Sequence, residues 1–149
     1  MNLSAPVSSI MSRDLQVVLA TDYANLIEHY FTRKTTSHIL VMKQGNVLGV
    51  ISEQDFRNFV ISLGKRFNNR SLAKSMLNIY TAEDIMNKEF STIEPSDSIE
   101  VALELLSENV YSALPVIDRG RFVGVITANH IVNTLLKGKV VSMLAPRIA

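Results

Sequence analysis

The chain repeats itself at a constant spacing of 75 residues. Ile10-Met11 recurs 75 positions later as Ile85-Met86, and Gly49-Val50-Ile51 recurs as Gly124-Val125-Ile126. Four more identical pairs keep this spacing: Asp22 and Asp97, Ser37 and Ser112, Val41 and Val116, and Gly45 and Gly120. A register without insertion or deletion indicates two copies of one supersecondary unit, so a single local fold must suit both halves.

Each copy is predicted to fold as β-α-β-β-α. In the second copy, residues 90–93 read as a short extended piece, followed by a helix whose apolar residues recur at helical spacing. Strands at 114–117 and 122–126 then form a hairpin. Thr127 caps a final helix, as Ser52 does in the first copy. The predicted fold class is α/β (α+β), with three-stranded sheets covered by helices.

So small a unit leaves one sheet face bare, and two copies packed together would bury it. We therefore predict repeats at 1–61 and 79–149, joined by a linker at 62–78 that contains a polar stretch around Asn68-Asn69. A pseudo-twofold axis would relate the two repeats, and their small sheets would pack between helices. The whole chain is expected to be one module.

The composition narrows the class of protein. The 149 residues include no cysteine, which excludes disulfides and thiolate metal sites and favours a reducing compartment. Hydrophobic residues make up 47% of the chain, but charges interrupt them before any segment reaches the roughly 20 apolar residues of a spanning helix. No basic head precedes an apolar run, so no secretory signal is predicted. We expect a soluble, cytoplasmic protein with no membrane partner.

The net charge of +1 conceals a segregation of charge along the chain. The stretch 57–82 contains no Asp or Glu, whereas the stretch 83–118 is rich in carboxylates and has Lys88 as its only cation. The cations of the first stretch are Arg57, Lys65, Arg66, Arg70 and Lys74. Either solvated surfaces or an anion-binding rim would explain this pattern.

Catalytic chemistry is not indicated. The histidines are His29, His38 and His130, and no His-Glu-x-x-His or other metal-spaced cluster accompanies them. The sequence therefore predicts that the protein is not an enzyme and holds no metal. The repeated glycines read as turn and packing residues rather than a phosphate-binding loop: Gly45, Gly49, Gly120 and Gly124.

The repeated motif resembles the cystathionine β-synthase (CBS) domain. The resemblance rests on Ile-Met near each start, a Pro-Ser-Asp helix opening, Ser-Ala-Leu-Pro-Val-Ile-Asp, and Gly-x-hydrophobic-Gly-hydrophobic-Ile-Thr. The last two motifs lie within Ser112–Thr127 and, in weaker form, within Ser37–Ser52. Two such repeats in tandem resemble a Bateman module, and the likeness extends from about Val7 to Leu136.

The resemblance implies a regulatory module that binds an adenosine derivative in the clefts between the two repeats. AMP, ADP or ATP is the expected ligand and S-adenosylmethionine a less favoured one, while no cofactor is required. It also implies a homodimer of four repeats and a protein partner that the sequence does not identify.

Applied residue by residue, the resemblance places the first cleft at Ser52 and Asp55. Ser52 begins a helix whose N–H groups favour phosphate, and Asp55 can accept hydrogen bonds from both ribose hydroxyls. His38 matches a position that often carries a basic phosphate contact. The other implied contacts are the apolar walls Ile51 and Met86, the adenine-edge residues Tyr111, Ser112 and Ala113, and also Thr81 and Pro115.

The second cleft is expected to be weaker. It would combine Thr127 and His130 with Ile39 and its strand neighbours, but His130 replaces the ribose-binding carboxylate and Leu40 replaces a proline. An imidazole offers one acceptor where a carboxylate offers two, so ribose binding should weaken by about 1–3 kcal/mol per lost hydrogen bond. We hypothesise that both hydroxyls are kept as caps and that the carboxylate is kept only where ribose binds.

Alternative functions remain open. Ser52 and Asp55 also fit a capping box that binds nothing. The module could be a ligand-free dimerisation or partner-binding scaffold. The basic linker around Phe67 also permits weak nucleic-acid binding, although the acidic second repeat would oppose it.

Overall fold

The computed structural model describes residues 2–34, 36–108 and 113–144, with side chains up to Gly138. The chain divides into two compact units. Residues 14–90 form one, which we call the first-repeat unit. The residues up to Arg13 join those from Ser91 onward in the other, the second-repeat unit.

The first-repeat unit contains one three-stranded sheet and four helices. Strand β1 runs parallel to β2, and β2 runs antiparallel to β3. The elements in chain order are β1 (Gln16–Leu19), α1 (Ala24–Thr32), β2 (His38–Lys43), β3 (Asn46–Ser52), α2 (Glu53–Phe67), α3 (Arg70–Met76) and α4 (Ala82–Ile85). The mixed α+β fold predicted from the sequence is confirmed.

The second-repeat unit repeats this plan. Its described elements are a 3₁₀ helix (Val7–Ser9), α5 (Ile99–Glu108), β4 (Ala113–Asp118), β5 (Arg121–Thr127) and α6 (Ala128–Leu144). Strands β4 and β5 are antiparallel, and their register shifts after Val116 just as the β2–β3 register shifts after Val41. The two shifts occur at equivalent positions of the repeat.

Both hairpins turn through the same backbone conformation. Gln44 and Gly45 have φ angles of 51° and 80°, and Arg119 and Gly120 have 51° and 78°. Two consecutive residues with positive φ form the turn type that matches strand twist, and glycine at the second position avoids steric strain. The repeated glycines Gly45 and Gly120 are therefore turn residues, as predicted.

The first strand differs between the repeats. In the first-repeat unit β1 pairs with β2 over four residues, and Ala20 N–H continues the pairing by donating to Met42 C=O at 3.0 Å. In the second, the equivalent segment makes a single parallel bridge, Ile93 to Val116. Pro95 stands where the first repeat has Ala20, and proline has no N–H to extend the ladder.

The segment that leads into each repeat pairs with the last strand of the other repeat. Ser12 exchanges two backbone hydrogen bonds with Val125 of β5 at 2.8 and 2.9 Å. Asn87 does the same with Val50 of β3 at 2.9 and 3.2 Å. Each pairing lies within one compact unit, so both units contain residues from both sequence repeats.

These pairings leave no room for a side chain at Gly49 and Gly124, the other two repeated glycines. A Cβ at Gly49 would lie 2.7 Å from the Asn87 carbonyl oxygen and 2.8 Å from the Met86 sulphur. A Cβ at Gly124 would lie 2.9 Å from the Met11 sulphur and 3.0 Å from the Ser12 carbonyl oxygen. The methionine of each Ile-Met motif therefore packs against a repeated glycine, Met86 against Gly49 and Met11 against Gly124.

The segment 62–78, predicted as a linker, is largely helical. Helix α2 continues through Gly64 to Phe67, Asn68 adopts a left-handed conformation with φ of 48°, and Asn69 caps α3 by accepting a hydrogen bond from Leu72 N–H. Ala73 and Leu77 are buried in the hydrophobic core of the first-repeat unit.

Each unit has its own core. The first is formed around Ile27, Ile39 and Ile51, and the second around Leu114, Ile126 and Ile131. Within the described residues, no helix is both long and apolar enough to cross a membrane.

Candidate functional site

Ser52 and Asp55 stand where β3 ends and α2 begins. Ser52 Oγ accepts a hydrogen bond from Asp55 N–H at 3.0 Å, and Asp55 Oδ2 accepts one from Ser52 N–H at 3.0 Å. This reciprocal pair is a capping box, which stabilises a helix by about 1 kcal/mol. Sequence analysis predicted Ser52 as a cap, and the structure shows that Asp55 completes the cap.

Capping uses only part of the polar capacity of this site. Both side chains are half-buried, and Asp55 Oδ1 makes no hydrogen bond to the part of the chain that the structure describes. The N–H groups of the first turn of α2 carry a positive partial charge. A fixed carboxylate with one available oxygen, beside a helix N-terminus, suits a ligand with both hydroxyl donors and an anionic group.

His38 lies on the strand beside this helix start. In the antiparallel pair β2–β3, His38 stands directly opposite Ser52. Its side chain is 8% exposed, and its Nδ1 lies 2.8 Å from Ser37 Oγ. The structure thus brings His38, Ser52 and Asp55 together, although burial restricts how much of the imidazole a ligand can reach.

The apolar residues predicted beside this site occupy different environments. Ile51 and Ile39 are completely buried in the core of the first-repeat unit, so their side chains are committed to packing. Met86 is half-buried and lies against Gly49, two residues before Ile51. Thr81 begins α4, where its N–H donates to Asp84 Oδ2 at 2.8 Å.

The predicted contacts on the second repeat lie in the other unit. Ala113 stands opposite Thr127 and is 3% exposed, and Pro115 is also buried. Pro115 C=O accepts a hydrogen bond from Ile93 N–H at 3.1 Å. Tyr111 and Ser112 lie outside the described residues. Because the side chains of Ala113 and Pro115 are buried, a ligand would contact the described part of this strand mainly through its backbone.

Thr127 and His130 form the counterpart of the Ser52–Asp55 pair. His130 N–H donates to Thr127 Oγ1, and Thr127 N–H donates to His130 Nδ1, both at 3.2 Å. The imidazole therefore takes over the capping contact that Asp55 Oδ2 makes in the first repeat. The hypothesis that the carboxylate serves ribose alone needs correction, because the residue at this position caps its helix in both repeats.

The pKa of His130 is lowered from its ordinary value of 6.5. Burial disfavours the charged imidazolium, and a hydrogen bond with the Val125 backbone opposes this effect only in part. A neutral ring is also what the cap requires, because Nδ1 accepts a hydrogen bond only when it carries no proton. Sequence reasoning missed this role, since an imidazole is not part of the usual capping-box pattern.

No group of three or more metal-ligating side chains is found in the parts of the chain that the structure describes. The arrangement of Ser52, Asp55 and His38 offers hydrogen-bond donors and acceptors.

Comparison with known proteins identifies the repeats. The family model of the CBS domain matches residues 7–62 and 82–137, which confirms the resemblance seen in the sequence. The crystal structure of the CBS-pair protein CBSX2 from Arabidopsis thaliana is similar with a TM-score of 0.75 and 24% identity, covering 91% of this chain and 96% of that one. CBSX2 has also been solved in complex with AMP, and that structure matches with a TM-score of 0.70 and 22% identity over 91% of this chain and 98% of that one.

A longer archaeal protein shows the same fold. Protein MJ1225 from Methanocaldococcus jannaschii, proposed to be an archaeal homologue of g-AMPK, matches with a TM-score of 0.74 and 21% identity. The match covers 91% of this chain and 49% of that one. At these identities the solved structures establish the fold of the chain.

Proposed function

The chain belongs to the CBS domain family as a tandem pair of repeats, and we propose that it is a regulatory module that binds AMP, ADP or ATP. The observation that carries this proposal is the state of Asp55. One oxygen of its carboxylate is fixed by Ser52 N–H, and the other is available at the start of α2. The cap holds the carboxylate in place before any ligand arrives.

The chemistry of this position matches a nucleotide. A preoriented carboxylate oxygen accepts hydrogen bonds from ribose hydroxyls, and charged acceptors make stronger hydrogen bonds than neutral ones. The N–H groups at the start of the 15-residue helix α2 favour a phosphate. His38, opposite Ser52 on the adjacent strand, is our proposed contact for phosphate.

A relative supports the choice of ligand. The structure of CBSX2 in complex with AMP belongs to a protein of the same fold that is 22% identical to this chain. We infer that AMP or a close analogue is the ligand here as well, with Met86, Ala113 and the backbone near Pro115 as further contacts, together with Thr81 and the segment Tyr111–Ser112.

The Thr127–His130 position is proposed as the weaker site. His130 Nδ1 is occupied by the cap, so the imidazole offers no second acceptor of the kind that Asp55 keeps. Ribose would lose its carboxylate partner there. We expect one nucleotide per chain at moderate concentration, with Thr127, His130 and Ile39 remaining without ligand.

A regulatory module must change outside its binding site when the ligand binds. CBS-pair proteins are typically regulatory, and we propose that nucleotide binding changes the surface that this module presents to a protein partner in the cytoplasm. We also propose that the module forms a homodimer. No catalytic step is part of this proposal.

Thermal unfolding with and without millimolar AMP, ADP, ATP and S-adenosylmethionine tests the proposal. A ligand at 100 times its dissociation constant stabilises the native state by about 2.7 kcal/mol, which raises the melting temperature by about 5–10 °C for a chain of this size. We expect such a rise with one adenine nucleotide and a much smaller one with S-adenosylmethionine.

A matched pair of variants links this shift to Asp55. Asp55→Asn keeps a side-chain oxygen for the cap but removes the charge, so we expect at least about tenfold weaker binding. Asp97→Asn is the control, because Asp97 Oδ2 also accepts a backbone hydrogen bond, from Glu94 N–H at 2.9 Å, but is not a predicted ligand contact. Absence of any shift in the wild type, or equal binding by both variants, would overturn the proposal and favour a ligand-free scaffold.

A further inference from the structure

A surface depression of about 380 Å³ lies between α1 and α2 of the first-repeat unit. Its apolar floor is formed by Phe31, Phe56 and Val60, and we call it the α1–α2 groove. The ring centroids of Phe31 and Phe56 are 5.7 Å apart, and these residues are only 6% and 7% exposed. Ligand sites range from about 300 to 1,000 Å³, so this groove suits a small molecule.

Four charged residues, two of each sign, surround the apolar floor: Glu28, Lys34, Glu53 and Arg57. The Arg57 guanidinium donates to Glu53 Oε1 at 3.3 Å, and its other N–H groups have no partner in the part of the chain that the structure describes. Glu28 is half-buried and Lys34 is exposed, and neither forms an ion pair with a described residue. The α1–α2 groove therefore presents available cationic donors and an available carboxylate beside an apolar surface.

The second repeat retains the apolar floor and lacks the charges. Phe31 and Phe56 correspond, 75 residues later, to Leu106 and Ile131, which pack together in the core of the second-repeat unit. The positions that correspond to the four charged residues are Leu103, Asn109, Ala128 and Val132. The fold that the two repeats share therefore requires the floor but not the charges around it.

Lys34 occupies a position where glycine is the favoured residue. It follows Arg33, the C-cap of α1, with a left-handed φ angle of 54°, and its N–H donates to Phe31 C=O at 3.0 Å. Helices often end on a glycine in this conformation, because a side chain makes the conformation less stable. The helix dipole favours a cation near this end, but Arg33 already supplies one. A contact between Lys34 and an anionic ligand group accounts for a lysine at this position.

We propose that the α1–α2 groove binds a small zwitterion with an apolar side chain, of which an apolar α-amino acid is the simplest example. The carboxylate of this ligand accepts hydrogen bonds from Lys34 and Arg57, and its ammonium group donates to Glu28. Its side chain packs on Phe31 and Phe56.

The signs of the charges select the zwitterion. A ligand whose only charge is negative would lie beside the unpaired carboxylate of Glu28, and a ligand whose only charge is positive would lie beside Lys34 and Arg57. Like charges at short range disfavour both of these ligands. A ligand with one charge of each sign avoids this repulsion. The inference does not depend on nucleotide binding.

Titration of the isotope-labelled protein with four probes, followed through the amide chemical shifts by NMR, tests this selection. L-Phenylalanine has all three features, whereas 3-phenylpropanoate lacks the ammonium group, 2-phenylethylamine lacks the carboxylate and glycine lacks the side chain. We expect L-phenylalanine to bind with a dissociation constant on the order of 1 mM and each of the other probes to bind at least about tenfold more weakly. The shifted amides should cluster on α1 and α2.

Lys34→Gly separates binding from folding. Glycine relieves the left-handed backbone at this position, so the melting temperature should be unchanged or higher, while L-phenylalanine should bind at least about tenfold more weakly. The matched control is Arg119→Gly, which also removes a cation from an exposed residue with a φ angle of 51°, in the turn between β4 and β5 and outside the groove. This control should bind L-phenylalanine like the wild type.

Glu28→Gln examines the other charge. Without this carboxylate, L-phenylalanine should bind less tightly, while 3-phenylpropanoate should bind as well as before or better, because the repulsion of its carboxylate is removed. Glu100→Gln, at an exposed position of α5, is the control and should change neither affinity.

The proposal is overturned by any of three results. They are a wild type that shows no shifts with L-phenylalanine up to about 20 mM, about 20 times the expected dissociation constant, a 3-phenylpropanoate affinity equal to that of L-phenylalanine, and equal binding by Lys34→Gly and Arg119→Gly. Nucleotide-induced shifts in melting temperature are measured separately, so failure of the amino-acid site leaves the nucleotide proposal intact.

Discussion

The two repeats share their structural residues and differ at the position that we propose for ligand binding. Both hairpins turn at a glycine with positive φ, Gly45 and Gly120, and both final helices begin with a hydroxyl residue that accepts a backbone hydrogen bond. Yet the buried strand residue opposite that hydroxyl is His38 in one repeat and Ala113 in the other. The fold thus tolerates different chemistry at the helix start as long as the cap is satisfied.

The largest expected effects come from substitution of the two closely packed glycines, Gly49 and Gly124. Gly49→Ala should destabilise the protein by about 3 kcal/mol, because its Cβ would lie 2.7 Å from a backbone oxygen that cannot move without breaking the Asn87–Val50 pairing. Gly124→Ala should cost less, about 1–2 kcal/mol, because its closest contact is the flexible side chain of Met11 and the nearest backbone oxygen, of Ser12, lies farther away at 3.0 Å.

Urea unfolding of both variants measures this difference. Gly64→Ala is the control, since a Cβ there meets nothing within 4 Å and alanine favours the helix, so this variant should be neutral or slightly more stable. Equal losses at Gly49 and Gly124 would show that the closer backbone oxygen at Gly49, 2.7 Å against 3.0 Å at Gly124, adds no cost.

Exchange of the residues that complete the two caps, Asp55 and His130, separates capping from ligand binding. Asp55→His should retain a capped α2, as His130 does for α6, while weakening nucleotide binding by about 2 kcal/mol, or about 30-fold. His130→Asp should retain the cap of α6 and add an acceptor oxygen. Titration calorimetry would then show tighter binding at a second site, and an unchanged stoichiometry would mean that another residue, such as Leu40, rather than His130 limits that site.

The smallest expected effect is a pH dependence confined to the second repeat. Because the folded pKa of His130 is lowered, the unfolded chain binds more protons than the folded chain as the pH falls below 6.5. The contribution of His130 to the free energy of unfolding is therefore complete above pH 6.5 and is lost as the pH falls through the lower folded pKa. His130→Asn keeps an acceptor for Thr127 N–H without titrating.

Unfolding free energies of the wild type and His130→Asn, compared between about pH 7.5 and pH 5, isolate this residue. We expect the difference between the two proteins to shift in favour of the variant as the pH falls. A constant difference would show that protonation of His130 is not coupled to folding.

Local signals in the sequence predicted most of the elements. The 75-residue repeat, the hairpin glycines and the hydroxyl caps each depend on a few neighbouring residues, and the structure shows all of them in place. The helix α3 was missed because Gly64 and Asn68-Asn69 suggest a loop, whereas α2 continues through Gly64 and Asn69 caps the next helix. The shorter first strand of the second repeat is explained by Pro95, which was interpreted only as a helix-start marker.

The candidate site was predicted less completely. Ser52 and Asp55 could be found because a hydroxyl and a carboxylate three residues apart at a helix start have a recognisable pattern. The burial of Ile51, Ile39 and Ala113 could not be read from the sequence, since an apolar strand residue can face either a core or a ligand. The pairing of Ser12 with Val125 depends on contact between residues more than 100 positions apart, which no local pattern reveals.

The exchange of leading segments makes the two repeats depend on each other. Gly49 and Gly124 keep a strand edge open for the Met-Ser or Met-Asn segment that leads into the other repeat. Removal of either repeat together with its leading segment would leave the N–H and C=O groups of Val50 or Val125 without their backbone partners. A single repeat cut from this chain would therefore expose an unpaired strand edge that another molecule could pair with.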